Sequence, residues 1–149
     1  MKVFITGGTG FVGTHLTKQL TGQGFQVTLL TRSIKPGRFL PRGAAYLEGD
    51  PTQPGPWQKE AAAHEIFINL AGASIFQRWT ADYKVTLRES RILTTRNLVQ
   101  ALSLDKGGEK VLISTSAIGY YGFHQDEELD EGTPAGTDFL ALLARDWEN

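Results

Sequence analysis

Thr6-Gly7-Gly8-Thr9-Gly10-Phe11-Val12-Gly13 follows the apolar run Val3-Phe4-Ile5 and opens an amphipathic segment. A consecutive apolar run predicts a strand over Lys2 to Thr6, buried on both faces. The glycines then predict a tight turn into a helix from Phe11 to about Thr21, with Phe11, Leu16 and Leu20 on one stripe and Gly22 and Gly24 at its end. In this strand-turn-helix context Gly10 lets the backbone approach a pyrophosphate, Gly13 lets the helix pack closely, and the first helical turn offers unpaired N–H groups to phosphates. Gly7, Thr9, Gly10, Phe11, Val12 and Gly13 are therefore candidate residues of a dinucleotide cradle. Three glycines can also make a plain turn, but glycines without a use cost conformational entropy.

Gln26 to Thr31 reads as a second strand, completing a βαβ unit of about thirty residues. Where such units bind NAD, an acidic residue at this strand end holds the ribose 2′-hydroxyl. Here the chain has Thr31-Arg32-Ser33. A guanidinium pairs with a 2′-phosphate through charge-assisted bonds of about 1.5–3 kcal/mol each, so NADP is expected over NAD. Lys35 and Arg38 lie near in sequence; the other reading of Arg32 is a surface charge.

After an irregular stretch from Lys35 to Arg42, Ala44 to Leu47 reads as a third strand leading to Asp50-Pro51. Asp50 either accepts from an adenine amino group or makes an Asx-turn, and both remain open. Trp57 to His64 suits a brief helix, and Glu65 to Leu70 a fourth strand. The small residues of Asn69-Leu70-Ala71-Gly72 let the backbone pass near a dinucleotide. A long helix is expected from Thr80, its N-cap, to Leu104, spanning roughly 36 Å. Tyr83, Leu87, Ile92, Leu98 and Leu102 mark its buried side. Lys110 to Thr115 reads as a fifth strand. The series predicts an α/β fold, a doubly wound parallel sheet in order 3-2-1-4-5.

Composition narrows the classes. The 149 residues carry a formal net charge of −1 and 40% hydrophobic residues, which suits one globular domain and gives no electrostatic case for nucleic acid or an anionic membrane. The charge is uneven: no acid precedes Glu48, whereas Asp126, Glu127, Glu128, Asp130 and Glu131 cluster late. Cysteine is absent, and His15, His64 and His124 have no ligand spacing, so no metal site is expected. No apolar run suits a membrane span and no signal-peptide core follows Lys2, so a cytoplasmic address is the default expectation.

Together the glycine loop, the Asp50 strand end, Asn69-Leu70-Ala71-Gly72 and Ser114-Thr115-Ser116-Ala117 followed by Tyr121-Gly122 resemble the extended short-chain dehydrogenase/reductases. Arg78-Trp79-Thr80, Ser90-Arg91, Asp138-Phe139-Leu140 and Trp147-Glu148 make the chain similar to their atypical, nucleoside-diphosphate-sugar-epimerase-like members, with a Rossmann-type sheet. The resemblance implies Ser116 as the serine that polarises a carbonyl or hydroxyl, and places Arg91 toward the cofactor. It also implies a Tyr-x-x-x-Lys pair, in which the lysine lowers the phenol's pKa. That pair is missing: the corresponding positions read Phe139 and Leu143, and no lysine follows Lys110. Tyr121 is a substitute acid if Arg91 assists it; otherwise Tyr120 and Tyr121 pack at a strand end.

Extended members continue into a smaller substrate-binding domain, so residues 1–149 are expected to be the dinucleotide-binding portion of a truncated pattern, with an open sheet edge that a second copy could cover. Two functions remain: an NADP-dependent epimerase or oxidoreductase-like protein acting on a nucleotide-sugar or other small molecule, or an NADP-binding sensor or interaction module without turnover.

Overall fold

The computed structural model describes residues 1–37, 40–105 and 107–149. Its contacts divide the chain into two compact units, Met1–Ser114 and Thr115–Asn149. Arg38, one of the cations near Arg32 in sequence, lies outside the described residues.

The first unit holds β1 (Lys2–Thr6), α1 (Phe11–Gly22), β2 (Gln26–Thr31), β3 (Ala44–Glu48), α2 (Trp57–Ala61), β4 (Ile66–Asn69), α3 (Ala81–Leu104) and β5 (Val111–Ser114). All four strand pairings are parallel and the order is β3-β2-β1-β4-β5, the expected 3-2-1-4-5. Alternation along the central strands builds a core on each face of the sheet. Val3, Ile5, Val27, Leu29 and Ile68 meet Leu16 and Leu20 of α1 on one face. Phe4, Leu30 and Phe67 meet Trp57, Ala61, Leu98 and Ala101 of α2 and α3 on the other. Both faces are covered, which is why β1 reads as an unbroken apolar run.

The termini of the long helix follow local chemistry. Thr80 caps α3 by accepting from the Tyr83 N–H, with Asp82 in the first turn. Leu87 and Leu98 are buried as expected, but so are Thr94, Asn97 and Ala101, while Tyr83, Ile92 and Leu102 are only partly covered. A helix crossing a polar sheet end buries small and polar residues there, which an apolar stripe does not reveal. Asn69 organises that end: its Oδ1 accepts from Thr6 Oγ1 at 2.6 Å, and its Nδ2 donates to Thr95 Oγ1 at 2.9 Å and Ser114 Oγ at 3.2 Å. One side chain thereby links β1, β4, β5 and α3.

The second unit contains a 3-10 turn over Ile118–Tyr121 and α4 (Phe139–Glu148). Asp138 caps α4, its Oδ1 accepting from the N–H groups of Leu140 and Ala141. Ala141, Leu143, Ala144 and Trp147 form the buried side of α4. The Gly136 N–H donates to the Tyr120 carbonyl at 2.9 Å, fixing the approach of the chain to the cap.

Candidate functional site

The turn between β1 and α1 is built by omission of side chains. Gly7 has φ +70°, and a Cβ there would lie 2.6 Å from the Leu70 carbonyl carbon and oxygen. Only glycine meets both demands. A Cβ on Gly13 would lie 2.5 Å from the Gly7 carbonyl oxygen and from Gly8 Cα, so Gly13 seats α1 against the turn itself. The Gly10 N–H closes the turn on the Gly7 carbonyl at 3.0 Å. Gly10 caps α1 with no side-chain acceptor, and the first helical turn holds no acid. The positive end of the helix is therefore left for an external anion.

This turn forms one wall of a cleft of about 610 Å³ over the C-terminal strand ends, within the usual 300–1,000 Å³ of small-molecule sites. Gly7, Thr9, Gly10, Thr31, Arg32, Asp50, Leu70, Ala71 and Gly72 all line it. Phe11, Val12, Gly13 and Arg91 are not among its lining residues. Phe11 is 84% exposed, with its ring against His15, so the packed stripe of α1 is made by Gly13, Leu16, Thr17 and Leu20 without it. The first turn of a helix that begins at a cleft has no sheet beneath it to cover an aromatic ring.

At the end of β2 the Thr31 hydroxyl donates to the Ser33 carbonyl at 3.1 Å, turning the chain so that Arg32 and Lys35 line the cleft. Among the described residues the Arg32 guanidinium has no hydrogen-bond or ion-pair partner. Asp50 makes the Asx-turn: its Oδ1 accepts from the Thr52 N–H at 2.9 Å and hydroxyl at 2.7 Å. Both bonds fall on Oδ1, so the turn and an Oδ2 directed at a ligand are compatible.

The opposite wall comes from α3, through Thr86, Glu89, Ser90 and Thr94. These residues escape an apolar-periodicity reading. Their signal is a row of hydroxyls at 86, 90 and 94, one per helical turn on one face. Thr94 is fully buried and its hydroxyl is the one buried side-chain polar atom without a partner among the described residues. An orphaned donor at the wall of a cleft suits a polar ligand.

In the second unit the Ser116 hydroxyl donates to the Glu148 carboxylate, while the Tyr120 and Tyr121 rings pack edge to face with centroids 5.3 Å apart. Among the described residues no cluster of histidine and carboxylate side chains could hold a metal ion, and no helix is long and apolar enough to cross a membrane.

A parallel α/β sheet with a glycine turn feeding a helix, and a cleft at the strand ends, defines a nicotinamide-dinucleotide-type binding domain. Comparison with known proteins makes this particular. Residues 3–138 match the NAD dependent epimerase/dehydratase family, and the chain belongs to it. It is 36% identical over 156 residues to the epimerase family protein YfhF of Bacillus subtilis (strain 168), covering 99% of this chain and 48% of that protein. The crystal structure of human epimerase family protein SDR39U1 with NADPH superposes with a TM-score of 0.77 at 30% identity, covering 99% of this chain and 48% of that one. MoeE5, in complex with UDP-glucose and NAD, shares the fold, with a TM-score of 0.81 at 19% identity over 99% of this chain and 47% of its own. The chain thus spans about half the length of these relatives.

Proposed function

We propose that residues 1–114 bind a nicotinamide dinucleotide and prefer NADP to NAD. The observation that carries this reading is Arg32, a guanidinium without a partner among the described residues, at the tip of β2 where an NAD binder would carry a carboxylate, lining the same cleft as Gly7, Thr9 and Gly10. The relative crystallised with NADPH supports it. In this assignment the α1 N-terminus at Phe11 and Val12 meets the pyrophosphate, Thr31 and Arg32 hold the adenosine ribose with its phosphate, and Asp50 accepts from the adenine amino group. Leu70, Ala71 and Gly72 give the dinucleotide a backbone edge to lie along. When bound, the nicotinamide supplies hydride exchange.

The test compares NADPH and NADH titrations of the wild-type protein and Arg32→Ala. Loss of charge-assisted bonds of about 1.5–3 kcal/mol predicts a fall in NADPH affinity of about ten- to a hundredfold, with NADH affinity nearly unchanged. Equal loss for both cofactors would refute the 2′-phosphate role.

For the chemistry we propose an epimerase or oxidoreductase-like role in which Ser116 polarises a carbonyl or hydroxyl of a nucleotide-sugar or other small molecule. Residues that select the substrate would come from the part of the relatives' length that this chain does not span. The alternative, NADP binding without turnover, is favoured by one feature: the chain has no Tyr-x-x-x-Lys pair, with Phe139 and Leu143 in its place, and Tyr121 as the available phenol. Loss of a measurable reaction in Ser116→Ala at unchanged cofactor affinity would decide for catalysis. Should these 149 residues be the whole product, a second copy pairing with the sheet edge is proposed, and sedimentation showing only monomer at micromolar concentration would exclude it.

A further inference from the structure

Three arginines lie close together on α3, and they have different fates. Arg88 and Arg96 are exposed, whereas Arg91 is half-buried beneath the segment that follows β4. Its Nη2 donates to the Ala73 carbonyl at 3.1 Å and its Nη1 to the Leu87 carbonyl at 3.1 Å. The guanidinium lies flat under Gly72: a Cβ there would stand 3.0 Å from Arg91 Cζ and 3.1 Å from Nη2. Its neighbour Ser90 completes the clasp, its Oγ accepting from the Ala73 N–H at 3.0 Å and donating to the Leu87 carbonyl at 3.1 Å. Two turns earlier, the Tyr83 hydroxyl donates to the Ser74 carbonyl at 2.6 Å. Three successive residues, 72 to 74, are therefore each touched by a side chain of α3, and two of them, Gly72 and Ala73, line the cleft while Arg91 does not.

We propose that Arg91 is a positioning residue for the dinucleotide site: its planar fork fixes Gly72 and Ala73 in the shape that forms one cleft edge, and it does not touch the dinucleotide. This rests on the dinucleotide reading above and reassigns Arg91 within it. The geometry explains the residue type. Two carbonyls on opposite sides, one from the loop and one from the helix, need two donors held in a plane, and the face above them must be free of a side chain, which Gly72 provides. A lysine ammonium supplies charge without that plane. A charge removed from water needs such partners to remain buried, and burial lowers the Arg91 pKa from its ordinary value.

The arrangement makes Gly72 and Arg91 energetically coupled. A methyl on Gly72 pushes the guanidinium off its two acceptors, and the three atoms nearest such a methyl all belong to Arg91, so the clash is relieved when the guanidinium is removed. The test is a double-mutant cycle on the 149-residue chain with Gly72→Ala, Arg91→Gln and the pair, read by NADPH affinity at low and high salt and by exchange of the Ala73 amide in cofactor-free protein. Arg91→Gln is expected to weaken NADPH about tenfold at both salt concentrations and to speed Ala73 amide exchange about tenfold. Gly72→Ala should weaken binding about threefold alone and not at all in the Arg91→Gln background. Should Arg91→Gln not fold, Arg91→Lys replaces it with the same expectations. Additive losses, a loss that shrinks in salt as a direct phosphate contact would, or unchanged Ala73 exchange would each overturn the proposal. If the wild-type chain binds no NADPH, the dinucleotide reading fails, and Ala73 exchange alone decides whether Arg91 holds the loop.

Discussion

The glycine turn with its facing 70–73 segment and the 115–149 unit present opposite ways of specifying a site. In the first, what matters is where atoms are missing: Gly7 and Gly13 allow the turn and α1 to close against each other and against Leu70, and the resulting backbone leaves N–H groups and a guanidinium open to a ligand. In the second, the chemistry-bearing side chains are engaged with one another: the Ser116 hydroxyl with Glu148, and the Tyr121 ring with Tyr120. The proposal of binding without turnover rests on the resemblance, by which Phe139 and Leu143 fall at the positions of the Tyr-x-x-x-Lys pair. A binding site made of backbone survives as long as its glycines do, whereas proton transfer needs titratable groups at a fixed spacing. Possession of the first does not imply the second.

The contrast can be broken most severely at Gly7. Gly7→Val would force a β-branched residue to φ +70° with its Cβ 2.6 Å from the Leu70 carbonyl. Strain and overpacking together are expected to cost about 3–5 kcal/mol, lowering the melting temperature and abolishing NADPH binding; a stable variant with intact binding would contradict the backbone account. Asp138→Ala acts on the other side of the comparison. Removing the α4 cap should cost about 1 kcal/mol, seen as faster amide exchange in 139–148, with no change in NADPH affinity.

Two histidines, one in each unit, sharpen the comparison through pH. His64 is buried, its Nδ1 facing the Glu60 and Ala61 carbonyls and its Nε2 at 2.8 Å from Thr28 Oγ1, and burial lowers its pKa below the ordinary 6.5. An unfolded chain therefore binds this proton more readily than the folded one, so His64 stabilises residues 1–114 above about pH 6.5 and that stability is lost as pH falls below it. His124 behaves in reverse: its hydrogen bond to Glu127 raises its pKa, so its contact is fully present below about pH 6.5 and is lost as pH rises through the higher folded value. Amide exchange between about pH 7.5 and about pH 5 should loosen around β2 and α2 while tightening around 124–127. A His64→Gln variant should remove the first trend only. The smallest effect is expected from Ser116→Ala, whose NADPH affinity should match the wild type; a loss would draw Ser116 into cofactor binding.

How much of this was legible in the sequence follows from the same physics. The strand order, the five strands and the α3 cap at Thr80 were readable because apolar runs, glycine turns and caps are local signals. The glycine turn between β1 and α1 was readable for the same reason. The α3 wall was not, because Thr86, Ser90 and Thr94 look like a solvated helix face until the sheet end places a cleft beside them. Nor was the engagement of Arg91 with Ala73 and Leu87, or the fourfold linkage through Asn69, since each joins residues distant in sequence. The exposed ring of Phe11 differs from its expected stripe because periodicity cannot tell a buried helical turn from one overhanging a cleft.

The central claim is that a backbone cradle and Arg32 together bind NADP. Calorimetric titration of the 149-residue chain with NADPH and NADH tests it most directly. Saturable binding of one equivalent of NADPH, tighter than NADH, is the predicted result; no heat with either dinucleotide would contradict the account.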